Sequence, residues 1–205
     1  MARNVKPIAK QYRRLGLTLG VNNSKSRAIA KRPYAPGQHG PDSGRQKVTE
    51  YGRQLREKQK AKLVYGILER QFRKYYETAM KKKGNTGILL VQTLERRLDN
   101  VVYRLFCDSR SQARQLVNHG HLFVNGKKVD IVSYETRIGE VISFNDGFKK
   151  SKLYDELSKK WEKKEIPGWL SLDKVQVAGK VIVLPGEEDF EKVFDPAAII
   201  EFYSR

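Results

Sequence analysis

Positive charge is concentrated in the first 92 residues, and this asymmetry constrains the chain more than any other feature. Of the 41 Lys and Arg residues, 22 lie in residues 1–92, together with only 5 of the 23 Asp and Glu residues. Residues 166–205 instead carry a small net negative charge. Like charges at this density repel one another in a compact fold, so the first part of the chain needs a neutralising partner. A polyanion fits this need, because each phosphate that is neutralised releases condensed counterions.

Several other classes of protein are disfavoured by the sequence. No apolar run approaches the roughly 20 residues that span a bilayer, and the N-terminus lacks an apolar signal-peptide core. We therefore expect a cytoplasmic protein with no membrane partner. Cys107 is the only cysteine, so an intramolecular disulfide and a thiolate zinc cluster are both excluded. We interpret Cys107 as a passive, partly buried thiol rather than a reactive one.

Residues 1–45 are rich in cations and poor in large apolar side chains. Residues 32–41 contain Pro and Gly at a density that forbids a long helix. We interpret residues 1–45 as an irregular basic extension that becomes ordered on its partner. The alternative is a disordered tail, which is disfavoured by the interleaved anchors Tyr12, Leu15, Leu17, Leu19 and Tyr34.

A helical domain is predicted for residues 46–92. One helix is expected from Glu50 to about Tyr65 and a second from Leu68 to about Lys83, because large apolar residues recur there at helical spacing. We expect residues 166–205 to complete this domain by packing back on it. That region is expected to contain a short hairpin within residues 174–183 and a helix beyond the acidic residues 187–189.

Residues 93–165 have the pattern of a small two-helix and sheet module. Apolar residues recur every three or four positions from Leu90 to Leu105, which predicts one helix with a buried face. Asp108 or Ser109 is suited to cap a second helix through Val117. Gly120 is suited to end that helix in the left-handed conformation.

A β-hairpin is predicted directly after these helices. Residues 122–124 and 127–129 flank Asn125 and Gly126, and Asn-Gly between apolar runs is a strong hairpin signal. A further strand is expected at about residues 141–144. The fold class is therefore α+β, with a mostly helical N-terminal domain, a basic extension and a small domain of two helices and a β-sheet.

Three stretches of this module are distinctive, namely LERRLDN at 94–100, SRSQARQLVNHGH at 109–121 and VNGKKV at 124–129. In these stretches the sequence resembles the ribosomal S-four family and its RNA-binding domain. Similar stretches are MAR at the start, YAPGQHG at 34–40, LREKQK at 55–60 and VFDP at 193–196, so it covers nearly the whole chain. Some members hold zinc with four cysteines in the N-terminal extension. Residues 6–32 contain no cysteine, so this chain resembles the zinc-free variant, and we expect no metal or cofactor.

The resemblance implies a structural constituent of the small ribosomal subunit that is not an enzyme. It implies direct binding of 16S ribosomal RNA at a multi-helix junction of the 5′ domain, nucleation of the subunit body, and a contribution to translational accuracy together with ribosomal protein S-five. The implied partners are 16S ribosomal RNA, neighbouring proteins including S-five, and messenger RNA where it enters the ribosome. The implied location is cytoplasmic, in the ribosome.

The candidate RNA-binding residues are mostly cations. Arg110 and Arg114 lie four residues apart on the second predicted helix and are expected to clamp the RNA backbone, since Arg offers a planar fork to phosphate. Their expected hydrogen-bonding neighbours are Ser109, Gln112, Asn118, His119 and His121. The further candidate cations are Arg3, Arg13, Arg14, Lys31, Arg32, Arg53, Arg56, Arg97, Lys127 and Lys128.

Two alternatives carry the same small domain. One is an RNA-modifying enzyme of the pseudouridine synthase type, suggested by Arg-Leu-Asp at 97–99. No region remains for a separate catalytic domain of the usual size. The other is a heat-shock RNA-binding protein, which would not need a basic stretch of 92 residues.

Overall fold

The computed structural model describes residues 7–17, 23–41, 47–161, 164–173 and 176–205. These residues form two compact units. The first comprises the described residues up to Val91 together with 191–205, and the second comprises those of 92–190. Each unit has buried apolar residues of its own.

Two short helices occupy the basic extension, α1 (Ile8–Leu15) and α2 (Asn23–Lys31). The prediction of an irregular segment is therefore wrong for these residues. Ile8 and Tyr12 are four apart and share one helix face, and the chain buries Tyr12, Leu17 and Ile29 to 5% exposure. Residues 32–41 form turns and bends without a helix or strand, as their Pro and Gly content predicts.

Two longer helices follow, α3 (Glu50–Tyr65) and α4 (Glu69–Met80). They confirm the two predicted helices, with the second ending three residues early. The Thr49 hydroxyl accepts a hydrogen bond from the Gly52 amide at 3.2 Å and so caps α3. The last helix, α10 (Pro196–Ser204), packs on this pair. Its Tyr203 ring stacks 4.7 Å from the Tyr76 ring.

The apolar stripe from Leu90 to Leu105 forms two helices, α5 (Thr86–Glu95) and α6 (Leu98–Phe106). The prediction of one continuous helix is wrong because backbone groups at residues 96–98 form hydrogen bonds with residues 134–136 instead of continuing the helix. The Leu98 amide donates to the Tyr134 carbonyl at 2.8 Å, and the Thr136 amide donates to the Arg96 carbonyl at 2.9 Å. Arg97, with ψ of 138°, is extended between the two helices.

The second unit contains an antiparallel sheet of five strands in the order β2-β1-β3-β5-β4. The strands are β1 (Leu122–Val124), β2 (Lys127–Lys128), β3 (Val141–Phe144), β4 (Leu170–Asp173) and β5 (Ala178–Val181). Asn125 and Gly126 have φ of 49° and 77°, which confirms the predicted hairpin turn. The strand at 141–144 is also confirmed.

Residues 166–190 belong to the second unit, which corrects the expectation that all of 166–205 packs on the helical domain. The reason is strand pairing, because β5 pairs with β3 and β4 pairs with β5. The hairpin is present, but its first strand begins at Leu170 rather than within 174–183. Gly179 lets the sheet approach α6, since a Cβ there would lie 2.2 Å from Leu105 Cδ1.

A group of aromatic side chains packs within the mainly aliphatic core of the second unit. It is completed by helices α7 (Arg110–Asn118), α8 (Asp146–Lys149) and α9 (Lys152–Trp161), and a 3-10 turn at Glu187–Asp189 follows the sheet. Phe106 packs against Phe144 and Trp161, and the Trp161 indole donates to the Phe106 carbonyl at 2.8 Å. Cys107 is fully buried beside them, and burial raises the pKa of its thiol to about 12. Burial is therefore complete rather than partial as predicted, and a buried thiol with a raised pKa supports the interpretation of Cys107 as passive.

Candidate nucleic-acid interface

Helix α7 begins and ends on signals that are visible in the sequence. The Ser109 hydroxyl accepts a hydrogen bond from the Gln112 amide at 3.3 Å and so caps the helix. At its other end Gly120 adopts φ of 67°. The amides of Gly120 and His121 donate to the carbonyls of Val117 and Leu116, which closes the last turn. The helix therefore places Arg110, Arg114 and Asn118 one turn apart along one face.

Arg110 is held in place by two neighbours on α6. Its Nε donates a hydrogen bond to the Asn100 side-chain oxygen at 2.9 Å. Its guanidinium carbon lies 4.4 Å from the centre of the Tyr103 ring, a favourable cation–π distance. These two partners are neutral side chains, and Arg110 itself is half-buried.

Arg114 lies beside a buried carboxylate. Its Nη1 is 4.0 Å from Asp99 Oδ2, and its side chain is 20% exposed. Asp99 mainly binds Arg97, which donates from Nε at 3.1 Å and from Nη2 at 2.9 Å. The Asp99 carboxylate is thus shared between Arg97 and Arg114.

Arg97 is the clearest correction among the candidate residues. Its side chain is 1% exposed and forms a two-pronged pair with Asp99 inside the unit. A side chain at this depth is inaccessible to RNA, so Arg97 does not belong to the interface. The sequence suggested otherwise because a continuous helix would have placed Arg97 off the buried stripe. The pair of Arg97 and Asp99 therefore gives the Arg-Leu-Asp sequence at 97–99 a structural role inside the unit.

A second basic patch lies around the end of α7 and the hairpin. The Lys128 side chain passes over Gly120, where a Cβ would lie 2.4 Å from Lys128 Cε. His119 and His121 have ring centres 5.8 Å apart, and His121 also stacks on Phe148 at 4.7 Å. Burial, and then the charges of His119 and Lys128, lower the pKa of His121 below its usual value. Lys127 and Asn118 are exposed nearby in the chain.

The candidates of the first unit lie on helix surfaces and turns. Arg13 donates from Nε to the Tyr34 carbonyl at 3.0 Å and lies over the Tyr34 ring. Arg53 is exposed and pairs with Glu50 at 2.8 Å. The exposed candidates that remain are Arg14, Lys31, Arg32 and Arg56. Arg3 lies outside the described residues.

Sequence reasoning missed several charged and polar groups that shape this surface. Glu95 is fully buried, and its carboxylate accepts hydrogen bonds from Arg104 and Asn100. Lys164 donates to the carbonyls of Tyr103 and Cys107 at 2.5 Å and so caps the end of α6. Lys164 and Tyr103 line a cleft of about 580 Å³. The motif at 94–100 contained Glu95 and Asn100, but no local pattern indicated their roles.

The described residues contain no candidate metal site and no candidate membrane-spanning helix. No group of three or more His, Cys, Asp and Glu side chains is arranged to hold a metal ion in this part of the chain. Of the helices in the described ranges, none combines the length and apolar character needed to cross a bilayer.

Two family models of ribosomal protein domains match consecutive parts of the chain. Residues 3–95 match the family model described as the ribosomal protein S4/S9 N-terminal domain. Residues 96–142 match the S4 domain, which includes α6, α7 and the first hairpin. Together the two matches cover residues 3–142, which include helices α3 and α4 and the helix α7 that carries Arg110 and Arg114.

The chain is similar over its whole length to curated proteins named small ribosomal subunit protein uS4. It is 48% identical to the protein of Roseiflexus castenholzii, and 47% identical to those of Chloroflexus aurantiacus and a Sulfurihydrogenibium species. All of this chain and all of each relative are covered. The chain therefore belongs to the uS4 family of small-subunit ribosomal proteins and is not an enzyme. The resemblance to the S-four family is confirmed.

Proposed function

We propose that this protein is a structural constituent of the small ribosomal subunit that binds 16S ribosomal RNA directly, at a multi-helix junction of the 5′ domain. The observation that carries the proposal is the pair Arg110 and Arg114. They lie one turn apart on α7, beside Asn100, Tyr103 and Asp99. Two guanidinium groups held by a folded scaffold suit charge-assisted hydrogen bonds to a phosphate backbone.

The physical advantage of this arrangement is reduced entropy loss on binding. A-form RNA hides its base edges in a deep, narrow major groove, so proteins recognise its shape and backbone. A free Arg side chain loses rotamer freedom when it grips a phosphate. Arg110 has already lost much of that freedom to Asn100 and Tyr103. The exposed Lys127, Lys128 and His119 then extend the same kind of contact beyond α7.

Exposed cations on two separate units suit a junction better than a single duplex. The first unit presents Arg14, Lys31, Arg32 and Arg56, and the second presents the α7 surface and the hairpin. Each unit offers cations to a different stretch of backbone, which favours RNA that brings several helices together. Family membership supports the finer roles that we propose. These are nucleation of the subunit body, translational accuracy together with ribosomal protein S-five, proximity to incoming messenger RNA, and residence in the cytoplasmic ribosome.

The proposal is tested by direct binding measurements. The purified chain is titrated with a 5′-domain junction fragment of 16S ribosomal RNA and, separately, with an arbitrary duplex of equal length, at about 0.15 M salt. We expect clear preference for the junction. The variant Arg110→Ala/Arg114→Ala should bind the junction more weakly, with a shallower salt dependence.

A matched control removes equal charge elsewhere on the second unit. Lys152→Ala/Lys180→Ala deletes two exposed cations outside the α7 surface and should retain most of the affinity. Equal affinity of the unmodified chain for junction and duplex would disprove the proposal. Equal losses in the two double variants would remove α7 from the interface.

A further inference from the structure

We propose that Gly120 is a positioning residue for RNA binding, because its missing side chain lets Lys128 lie across the end of α7 and present its ammonium to a phosphate of the RNA. This inference rests on the proposed function. Gly120 is buried, and a Cβ on it would overlap Lys128 Cε and lie 3.0 Å from Lys128 Nζ. Gly120 therefore acts on RNA only through Lys128.

The first hairpin brings Lys128 back to the end of α7. Strand β1 leads away from Gly120, and the two-residue turn returns β2 beside it, with Lys128 paired to Phe123. Lys128 is exposed, and among the residues that the structure describes it forms no hydrogen bond or ion pair. Its four-carbon stem rests on the glycine backbone, while its ammonium remains available to an outside anion.

Asn145 fixes the turn that contains Gly120. Its side-chain nitrogen donates to the Gly120 carbonyl at 3.0 Å, and its backbone amide donates to the His121 carbonyl at 2.9 Å. Its side-chain oxygen accepts from the Phe148 amide, which caps α8 and leaves the nitrogen facing Gly120. The Phe148 ring also stacks on His121 at 4.7 Å. These contacts hold Gly120 in its left-handed conformation, with φ of 67°.

The same hydrogen bonds remove an obstacle to phosphate. The carbonyl end of a helix carries partial negative charge, which repels anions. Here the carbonyls of the last turn of α7 accept from the amides of Gly120 and His121, whose own carbonyls accept from Asn145. A phosphate beside Lys128 therefore meets carbonyl groups that are already hydrogen-bonded.

Two explanations of Lys128 at this place make different predictions. A cation at the end of a helix is stabilised by the helix dipole, which would give Lys128 a purely structural role. On our proposal the lysine stem is ordered before RNA arrives, so less rotamer freedom is lost on binding. The structural role predicts changes in stability alone. Our proposal predicts a change in the salt dependence of RNA binding, because one phosphate contact is lost.

The decisive variant of the full chain changes no charge. Gly120→Ala displaces the Lys128 stem, and it should weaken binding to the junction RNA about fivefold. It should also reduce the slope of log affinity against log salt by about one, as Lys128→Ala does. The double variant Gly120→Ala/Lys128→Ala should bind no more weakly than Lys128→Ala, because the two positions act as one unit. In the free protein, NMR should show a nuclear Overhauser effect between the Lys128 ε-methylene and Gly120 α protons.

Gly139→Ala is the matched control. Gly139 also has a left-handed φ, of 86°, but a Cβ there would meet nothing within 4 Å. This variant has the same kind of backbone strain, so it should lower the melting temperature but keep the affinity and salt slope of the unmodified chain. The inference is overturned if Gly120→Ala keeps that slope, or if its loss adds to that of Lys128→Ala. Absence of the Overhauser effect from the unmodified chain would overturn it as well.

A second pair of variants decides the question if Gly120→Ala does not fold. Asn145→Ser retains an oxygen to cap α8 but loses the bond to the Gly120 carbonyl, so it should reduce both affinity and salt slope. Ser151→Ala removes the cap of α9, where the Tyr154 amide donates to Ser151 Oγ at 3.3 Å, and should leave both unchanged. Equal slopes in the two would overturn the inference. Equal affinity of the unmodified chain for junction and duplex would instead disprove the proposed function, while the salt slopes on either RNA still decide the role of Gly120.

Discussion

The two units of the molecule use positive charge in different ways. In the first unit the candidate cations are mainly exposed on helices and turns, as with Arg14, Arg32 and Arg56. In the second unit the arginines near α6 and α7 are tied to side chains with little exposure, such as Asp99, Glu95 and Asn100. The charge excess of a sequence therefore does not identify its binding residues. The same residue type forms the core at Arg97 and the proposed interface at Arg110.

The largest expected effect concerns the buried pair of the second unit. Asp99→Ala leaves the Arg97 guanidinium buried without its carboxylate, and loss of one partner of a buried pair costs about 3–5 kcal/mol. We expect the free energy of unfolding of the second unit to fall by that order, measured by chemical denaturation. Glu50→Ala removes the partner of the exposed Arg53 in the first unit and should leave the midpoint nearly unchanged. Similar falls in the free energy of unfolding in both variants would show that burial does not distinguish the two ion pairs.

The first unit also contains a carboxylate, that of Glu69, which several hydrogen-bond donors hold in place. Burial alone would raise the pKa of Glu69, but hydrogen bonds from Lys62, Tyr203 and Lys58 outweigh it and hold the pKa at about 2. The group is more acidic folded than unfolded, so its stabilisation is present above pH 4.5 and is lost as the pH falls toward 2.

This pH dependence is measured by thermal unfolding between pH 6 and pH 2. Glu69→Gln should lower the stability at pH 6 and flatten the acid loss, because Gln cannot gain a proton in that range. Glu77→Gln, at an exposed pair with Arg73, is the control and should follow the unmodified chain. If Glu69→Gln loses thermal stability in acid as steeply as the unmodified chain, the hydrogen bonds to Glu69 do not stabilise the first unit.

Local signals explain which parts of the fold were predictable. Ser109 as a cap, Gly120 as a helix end, and Asn125 with Gly126 as a turn each act on their immediate neighbours, and α7 and the first hairpin were predicted from them. Helix α3 was predicted from the helical spacing of its apolar residues. The break at Arg97 depends on pairing with residues 134–136, which no short window contains. The same holds for Lys164, which caps a helix about sixty residues earlier.

The candidate site was also predictable only where local sequence signals determine it. Arg110 and Arg114 are recognisable from their spacing on one helix. The groups that separate the accessible Arg110 from the buried Arg97 are brought together only by tertiary structure. The relevant contacts are Asp99 with Arg97, and Asn100 with Arg110. A sequence therefore shows where cations are frequent, whereas burial shows which of them remain available.

The smallest expected effect is a pH dependence of RNA binding at the end of α7. Burial, and then His119 and Lys128, lower the pKa of His121 below its usual value, so the ring gains its charge at a more acidic pH than an ordinary histidine. Its ring contacts Phe148 and His119, with Lys128 as the nearby fixed cation. A bound phosphate favours the protonated ring, so affinity for junction RNA should rise a few-fold from pH 7 to pH 5.5.

His121→Gln should lose part of that rise while leaving the affinity at pH 7 nearly unchanged, measured by titration at constant ionic strength. His39→Gln, in the turn region of the first unit, is the matched control and should retain the full rise. If His39→Gln reduced the rise and His121→Gln did not, the pH-sensitive contact would lie in the first unit. The second unit would then bind through its permanently charged side chains alone.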